Sequence, residues 1–122
     1  MQLNIDPQKP IFVCIAEWLE DAIIGGIFEE EGQVPSTTEI SLQYNINPAT
    51  SLKGVNMLVE SGILYKKRGL GMFVSAGARV KLIEQRRHRF FDEFIKPLIR
   101  EAERLEISVS ELKTMIEGGC EN

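Results

Sequence analysis

The chain has 122 residues and is 43% hydrophobic, which is enough for one modest core and excludes two large ones. Its formal net charge of −4 argues against a nucleic-acid binder, because phosphate neutralisation supplies most of the sequence-independent affinity for DNA. The positive charge is nevertheless concentrated: residues 32–81 contain six basic and two acidic residues, whereas the segments on either side are net negative. Only this middle stretch has the charge that a phosphate backbone would attract.

Several classes of function lack their usual residues. The two cysteines, Cys14 and Cys120, have no Cys or His companion at metal-ligand spacing, so we interpret them as free thiols rather than as a disulfide or a redox switch. No Ser-His-Asp or Cys-His set and no phosphate-binding glycine loop is present, which argues against an enzyme, a metal site and a bound cofactor. No basic region followed by an apolar run opens the chain, and no apolar segment approaches the roughly 20 residues of a membrane span. The sequence therefore predicts a cytoplasmic protein that does not bind a membrane.

The first predicted helix follows Pro10, a residue that fits the first turn of a helix. Gly25-Gly26 ends the helix, since glycine is typical just past a helix C-terminus. Between them, apolar residues recur every three or four positions, at Ile11, Cys14, Ile15, Trp18, Leu19, Ala22 and Ile23. We interpret this segment as a scaffold helix that faces the core. The acidic run at residues 29–31 favours a solvated loop after it.

A second helix is predicted to start at Ser36, because Glu39 lies three residues later and completes a capping-box pattern. It runs through Gln43 and has Ile40 and Leu42 among its apolar residues. The turn at residues 44–46 follows, where an asparagine can take a left-handed conformation.

The third helix is predicted from Asn47, a good N-cap, and Pro48, a good first helical residue, to about Ser61. Its buried face is predicted to consist of Leu52, Val55, Leu58 and Val59. The remaining faces near its start carry Thr50, Ser51, Lys53, Gly54 and Asn56. The start of a recognition helix is the part that reaches base edges, so these residues are candidates for DNA contact.

A basic hairpin follows the third helix. Residues 63–67 and 72–74 alternate as strands, and residues 68–71 form the tight connection between them. Glycines there let the backbone approach a sugar-phosphate edge, while the basic run at residues 66–68 meets phosphates. Helix, turn, helix and basic hairpin together predict a mainly α fold with a small β-wing, a winged helix-turn-helix DNA-binding domain over residues 1–76.

The remaining residues, 77–122, are predicted to form a short all-helical dimerisation tail. A helical pattern starts at Arg79, is interrupted by Pro97 with a kink or break near residues 94–96, and resumes in a last helix at a Ser108–Glu111 capping box that ends before Gly118. The tail is too apolar for solvent, and a second copy is its expected partner because two-fold dimers are the commonest assemblies. The predicted interface consists of Ile83, Phe90, Phe91, Phe94, Leu98 and Leu105. The phenylalanines could alternatively line a ligand pocket between subunits.

As a set, several short motifs resemble the GntR family of bacterial transcription regulators. The likeness covers residues 10–75, and the motifs are Pro10-Ile11, Val34-Pro35-Ser36, Asn47-Pro48-Ala49-Thr50, Leu58, Gly62 and residues 69–74. The tail, with Arg86-Arg87 ahead of Phe90-Phe91 and a Pro97-Leu98 step, looks like the YtrA-type subgroup. The short C-terminal region of that subgroup dimerises and carries no large effector-binding domain.

The resemblance implies a homodimeric, sequence-specific DNA-binding transcription regulator, usually a repressor, whose partner is a double-stranded and palindromic operator. It implies DNA contacts at Thr50, Ser51 and Lys53 of the third helix and at Arg68, Gly69 and Gly71 of the wing. We add Ser36, Thr38 and Lys67 as further predicted DNA contacts. A small-molecule effector is compatible with the resemblance, but no residue pattern supports one.

A second hypothesis is a winged-helix module that binds protein and has no specific DNA target. Thr38 stands where the family usually has an arginine that touches DNA, and Leu70 stands where a basic wing-tip residue is common. Ala49 occupies a position that is often arginine or asparagine. Because a fold does not fix a function, the sequence leaves both hypotheses open.

Overall fold

The structure, a computed structural model, describes residues 2–120 without the side chain of Cys120. The chain divides into two compact units, the first ending at Glu84 and the second starting at Gln85. The elements in chain order are α1 (Ile11–Ile24), α2 (Thr37–Tyr44), α3 (Pro48–Glu60), β1 (Leu64–Lys67), β2 (Gly71–Val74), α4 (Ala78–Phe90), a π-helical turn (Phe91–Ile95), α5 (Lys96–Arg104) and α6 (Val109–Cys120). The predicted fold class, mainly helical with a small two-stranded wing, is confirmed.

Helix α1 is the scaffold of the first unit. It follows Pro10 and ends at Gly25, as the sequence predicts. Its buried face contains Ile15, Leu19 and Ile23, each with at most 1% of its surface exposed. Cys14 is buried and free, whereas the predicted thiol of Cys120 lies outside the described side chains. The α1 face packs with residues of α2, α3 and the wing in one core, so it fixes the positions of these elements relative to each other.

The cap and turn predictions for α2 are confirmed. The backbone N–H of Glu39 donates to Ser36 Oγ at 3.0 Å, and the backbone N–H of Ser36 donates to Glu39 Oε1 at 3.2 Å, which completes the capping box. Asn45 ends the helix in the left-handed region with φ 53°. Ile46 then packs against the core, so the turn delivers the chain directly to the start of α3.

The buried face of α3 differs from the prediction, which holds for Val55 and Leu58 while Val59 is half-buried. Asn47 caps the helix as expected, its side chain accepting from the backbone N–H of Ala49 at 2.8 Å. The buried residues, however, include Ser51 and Gly54, and the prediction that Leu52 is buried is wrong because 49% of its surface is exposed. The cause is close packing on α1: a Cβ at Gly54 would lie 2.8 Å from the carbonyl oxygen of Phe12. Small residues are required on that face, so the leucine turns outward.

The wing is a two-stranded antiparallel sheet with Tyr65 opposite Phe73 and Lys67 opposite Gly71. The predicted loop before α2 also contributes to it, which the sequence pattern does not indicate. The backbone N–H of Val34 donates to Met72 O at 3.0 Å, and that of Val74 donates to Gly32 O at 2.9 Å. The outer edge of β2 is thus partly paired by residues 31–34, which hold the wing against the rest of the unit.

Two α4 residues that the sequence pattern assigns to the tail, Ala78 and Leu82, belong to the core of the first unit. The predicted interruption near Pro97 is confirmed and takes the form of the π-helical turn, where the backbone N–H of Lys96 bonds to Phe91 O. The capping box of Ser108 is also present, whereas α6 continues through Gly118 rather than ending before it.

Candidate nucleic-acid interface

The exposed side of α3 begins with small and polar residues. Ala49, Lys53 and Asn56 are exposed, and Thr50 is half-buried. The Lys53 ammonium lies 4.0 Å above the centre of the Phe12 ring, a cation–π contact that holds the extended side chain along the helix surface. The helix has no acidic residue before Glu60, so nothing on it opposes the approach of a phosphate backbone to its N-terminal half.

Ser51 is a correction to the predicted DNA contacts. Its side chain is fully buried, and its Oγ accepts a hydrogen bond from Ser41 Oγ at 2.8 Å. A hydroxyl in this position joins α3 to α2 and cannot reach a base or a phosphate. Gly54, the other small residue assigned to the exposed faces, is buried against α1 for the steric reason given above.

The start of α2 presents the other two predicted helix contacts. Ser36 is half-buried and uses its side chain in the capping box, while Thr38 is exposed on the first turn. Leu42 lies four residues after Thr38, on the same helix face, and is 80% exposed. This face of α2 is therefore accessible, but it carries no basic side chain.

The wing brings together the predicted basic and glycine residues. Lys66 and Arg68 are exposed, whereas Lys67 is half-buried, with its ammonium 4.4 Å from the centre of the Phe73 ring. Gly69 forms the tip with φ 79°, a left-handed conformation that favours glycine. The backbone at the tip is unobstructed, because a Cβ at Gly69 would meet nothing within 4 Å among the described residues.

Two side chains from the segment before α2 are hydrogen-bonded to the wing. The Gln33 amide donates to Leu70 O at 2.7 Å, and the neighbouring Gly71 has φ 120°, a backbone conformation that L side chains rarely adopt. The Tyr65 hydroxyl donates to Glu31 Oε2 at 2.5 Å. That hydrogen bond, more than burial, raises the pKa of Tyr65 above its ordinary value, because it stabilises the protonated hydroxyl.

The basic residues of the 32–81 stretch form two groups: some bind the C-termini of helices, and the others lie on α3 and the wing. The charge pattern of the sequence does not distinguish the two groups. Arg79 Nε donates to Ile24 O at the end of α1 at 2.9 Å, and Lys81 Nζ donates to Ser61 O at the end of α3 at 2.5 Å. Cations at these positions satisfy terminal carbonyls and favour the negative end of the helix dipole. Lysine and arginine often bind the last carbonyls of a helix, but the sequence does not show which helix Arg79 and Lys81 bind. Their acceptors lie 55 and 20 residues away in the chain. The basic residues on α3 and the wing are Lys53, Lys66, Lys67 and Arg68.

The predicted dimer residues lie in or next to the second unit, and most are exposed. Phe90 and Phe94 stack with ring centres 5.5 Å apart, and 52% and 61% of their surfaces are accessible. Phe91, Leu98 and Leu105 are also exposed, whereas Ile83 is half-buried in the first unit. Within the described part of the second unit, Ala102 is the one buried residue.

Two other kinds of site are missing from residues 2–120. The described side chains contain no group of three or more His, Cys, Asp and Glu that could hold a metal ion. None of the described helices is long and apolar enough to cross a membrane.

A helix-turn-helix joined to a basic wing defines this chain as a winged-helix protein of the class found in transcription regulators. No family model matches it. It is 28% identical over 129 residues to the HTH-type transcriptional repressor YtrA of Bacillus subtilis, with 98% of both proteins covered. It is 31% identical to a crystal structure assigned to the GntR family of transcriptional regulators, from Bacteroides thetaiotaomicron, with a TM-score of 0.69 and 91% and 96% of the two chains covered. The chain therefore belongs to the GntR family, and its regulator type is YtrA-like.

A third comparison concerns the winged domain alone. AraR(DBD) in complex with operator ORE1 is 25% identical, with a TM-score of 0.53, and the match covers 62% of this chain and 94% of that one. Two further curated relatives are longer, and this chain spans 31% of each. The comparisons confirm the predicted family and fold, and they make the chain a transcriptional regulator rather than an enzyme.

Proposed function

We propose that this protein is a cytoplasmic, homodimeric repressor that binds a palindromic DNA operator through residues 47–61 and the wing at residues 63–74. The observation that carries the proposal is that the N-terminal half of α3 and the wing carry basic side chains and no acidic ones. Lys53 on α3 and Lys66, Lys67 and Arg68 on the wing are basic, whereas the chain as a whole is net negative. Charge separated in this way favours one orientation towards a phosphate backbone.

In the proposed complex the N-terminal half of α3 enters the major groove. Thr50 and Lys53 contact base edges or the phosphates that flank them, and Thr38 approaches the backbone from the first turn of α2. The wing follows the backbone, where Lys67 and Arg68 meet phosphates and Gly69 and Gly71 allow close approach. Ser51 has no part in this proposal because it is buried.

The proposed dimer is formed by the second unit. Its phenylalanines are exposed, and Ala102 is the one buried residue among residues 85–119, so the unit has an apolar surface that needs a partner. A second copy supplies the same surface by two-fold symmetry. The two winged domains of such a dimer then require two operator half-sites that are related by a two-fold axis and spaced by about one turn of DNA or a multiple of it.

The first experiment is selection of bound duplexes from a random pool, followed by anisotropy titration of the enriched sequence at several salt concentrations. The expected result is an enriched inverted repeat whose affinity falls as salt rises. Absence of enrichment together with absence of salt-dependent binding at micromolar protein would overturn the proposal. That result would favour the protein-interaction module.

Lys53 provides a residue-level test of the same proposal. If its ammonium contacts a base, Lys53→Ala weakens binding by about 1–3 kcal/mol and relaxes selectivity at one operator position. The measurement is competition between the enriched duplex and its single-base variants. Lys113→Ala removes an exposed lysine from α6 and serves as the matched control, with unchanged affinity expected. Equal behaviour of the two variants would remove Lys53 from the interface.

A further inference from the structure

Leu52 is an apolar side chain without a place in the core. It lies in the N-terminal half of α3, 49% of its surface is exposed, and the core cluster of the first unit does not include it. Ala49 precedes it by three residues and Asn56 follows it by four, so the three side chains share one exposed stripe of the helix. Close packing of Ser51 and Gly54 on the opposite side fixes this orientation.

The N-terminal part of the stripe cannot form side-chain hydrogen bonds with bases, because Ala49 and Leu52 are apolar and Asn56 lies a turn further along the helix. Helix α3 contains no arginine and no glutamine, and its exposed N-terminal residues before Lys53 are Pro48, Ala49 and Leu52. A base pair presents few apolar features in the major groove. Thymine is the one natural unmodified base with a methyl group at its groove edge, and apolar side chains recognise it by contact with that methyl.

We propose that Leu52 is a specificity-determining residue that contacts a thymine C5-methyl group in each operator half-site. The inference rests on the proposed function, because it requires α3 to lie in the major groove. It adds a chemical basis for selectivity to a surface whose charged residues act mainly on phosphates. Exposed apolar area on Leu52 is then covered in the complex instead of facing water.

The expected effect follows from the area of one methyl group. Removing a contacted methyl from DNA weakens binding about fourfold for one half-site and about fifteenfold for both, at the usual free energy of burying one CH₂. Uracil is the suitable probe because it lacks the methyl group and keeps the pairing of thymine.

The experiment replaces each thymine of the selected operator by deoxyuridine, one symmetric pair at a time, and measures affinity with the full chain. For the wild type, one pair of positions is expected to show the roughly fifteenfold decrease in affinity. In Leu52→Ala this penalty disappears, because the methyl no longer has a partner. In Leu52→Met the penalty is largely kept. Val80→Ala, which shortens an exposed aliphatic side chain on α4, is the matched control and keeps the wild-type penalty.

The outcomes separate this inference from the proposed function. Salt-dependent operator binding without a uracil penalty at any position supports the proposed function and overturns the role of Leu52. A penalty that persists in Leu52→Ala but disappears in Thr50→Ser also overturns it, and assigns the methyl contact to Thr50. No operator binding at all overturns both. Melting temperatures of the variants check that each remains folded, since Leu52 is half exposed and leaves no buried cavity on truncation.

Discussion

Gly54 sets the distance between α1 and α3. A Cβ at this position would lie 2.8 Å from Phe12 O and 2.9 Å from Ile15 Cβ, and these atoms belong to a packed helix that cannot move freely. Gly54→Ala is expected to lower the free energy of unfolding by on the order of 1–3 kcal/mol through overpacking, although alanine favours helix. Urea denaturation measures the effect. Gly119→Ala, where a Cβ meets nothing described within 4 Å, is the control and is expected to be neutral or slightly stabilising.

The hydrogen bond between Ser41 and Ser51 is expected to contribute to the stability of the first unit. Both side chains are buried, so Ser51→Ala leaves the Ser41 hydroxyl without its partner and should cost about 1–3 kcal/mol of stability. The double variant Ser41→Ala/Ser51→Ala removes both hydroxyls and is expected to cost less than the sum of the single variants. Denaturant unfolding of the wild type, the two single variants and the double variant gives the coupling. Additive costs would mean that the hydroxyls do not stabilise each other.

Residues that act on their own backbone could be predicted from the sequence, whereas residues with distant partners could not. The caps at Ser36 and Asn47 and the left-handed Asn45 depend on neighbours within three residues, and all three predictions are confirmed. Ser51 and Arg79 depend on partners 10 and 55 residues away. Periodicity placed Leu52 inside and Ser51 outside because it counts apolar character and contains no information on how closely two helices approach.

At the scale of elements, the wing consists of the β1–β2 hairpin and a third segment, residues 31–34, that pairs with β2. Residues 31–34 add backbone hydrogen bonds to β2, and Gln33 and Glu31 hold Leu70 and Tyr65. The acidic run at residues 29–31 was predicted to be a solvated loop. Its charges are typical of such a loop, but the backbone N–H of Glu31 donates to Val74 O in the wing. Pairing between segments so far apart in the chain depends on how α2 and α3 bring them together, and a local pattern cannot show it. A braced wing presents Lys67 and Arg68 in a fixed direction, which lowers the entropic cost of binding.

Lys67→Ala tests the wing as a phosphate-binding element. The substitution is expected to weaken binding to the operator and to unrelated duplexes alike, because phosphate contacts carry no sequence information. The slope of log K against log salt should become shallower by about 0.9 for each phosphate that is no longer neutralised, which is about 1.8 for a dimer. Anisotropy titrations on operator and scrambled DNA measure both quantities. An unchanged slope would show that Lys67 only packs on Phe73, and weaker binding confined to the operator would assign it a base contact.

At the scale of the whole molecule, the two units differ in how they are stabilised. The first has a core in which Ile15, Leu19 and Val74 are fully buried. The second exposes Phe90, Phe94 and most other large apolar residues, and one alanine is buried in its described part. The sequence predicted this difference because the tail has a helical apolar pattern and no second pattern to cover it. It could not show the geometry of the partner surface, because a local apolar pattern contains no information on what packs against it.

Phe94→Asp tests whether that apolar surface joins two chains. In the single chain 61% of Phe94 is exposed, so the substitution leaves the fold of the first unit intact. A buried charge at a two-fold interface is repeated in both copies and is strongly unfavourable, so a monomer is expected in sedimentation at micromolar concentration. Affinity for the full operator should fall steeply, while affinity for a single half-site should change little. Ile27→Asp, at an exposed aliphatic residue of the first unit, is the matched control and is expected to remain a dimer. If the wild type itself sediments as a monomer, or Phe94→Asp as a dimer, the proposed assembly is wrong, and the exposed phenylalanines must be covered by another partner.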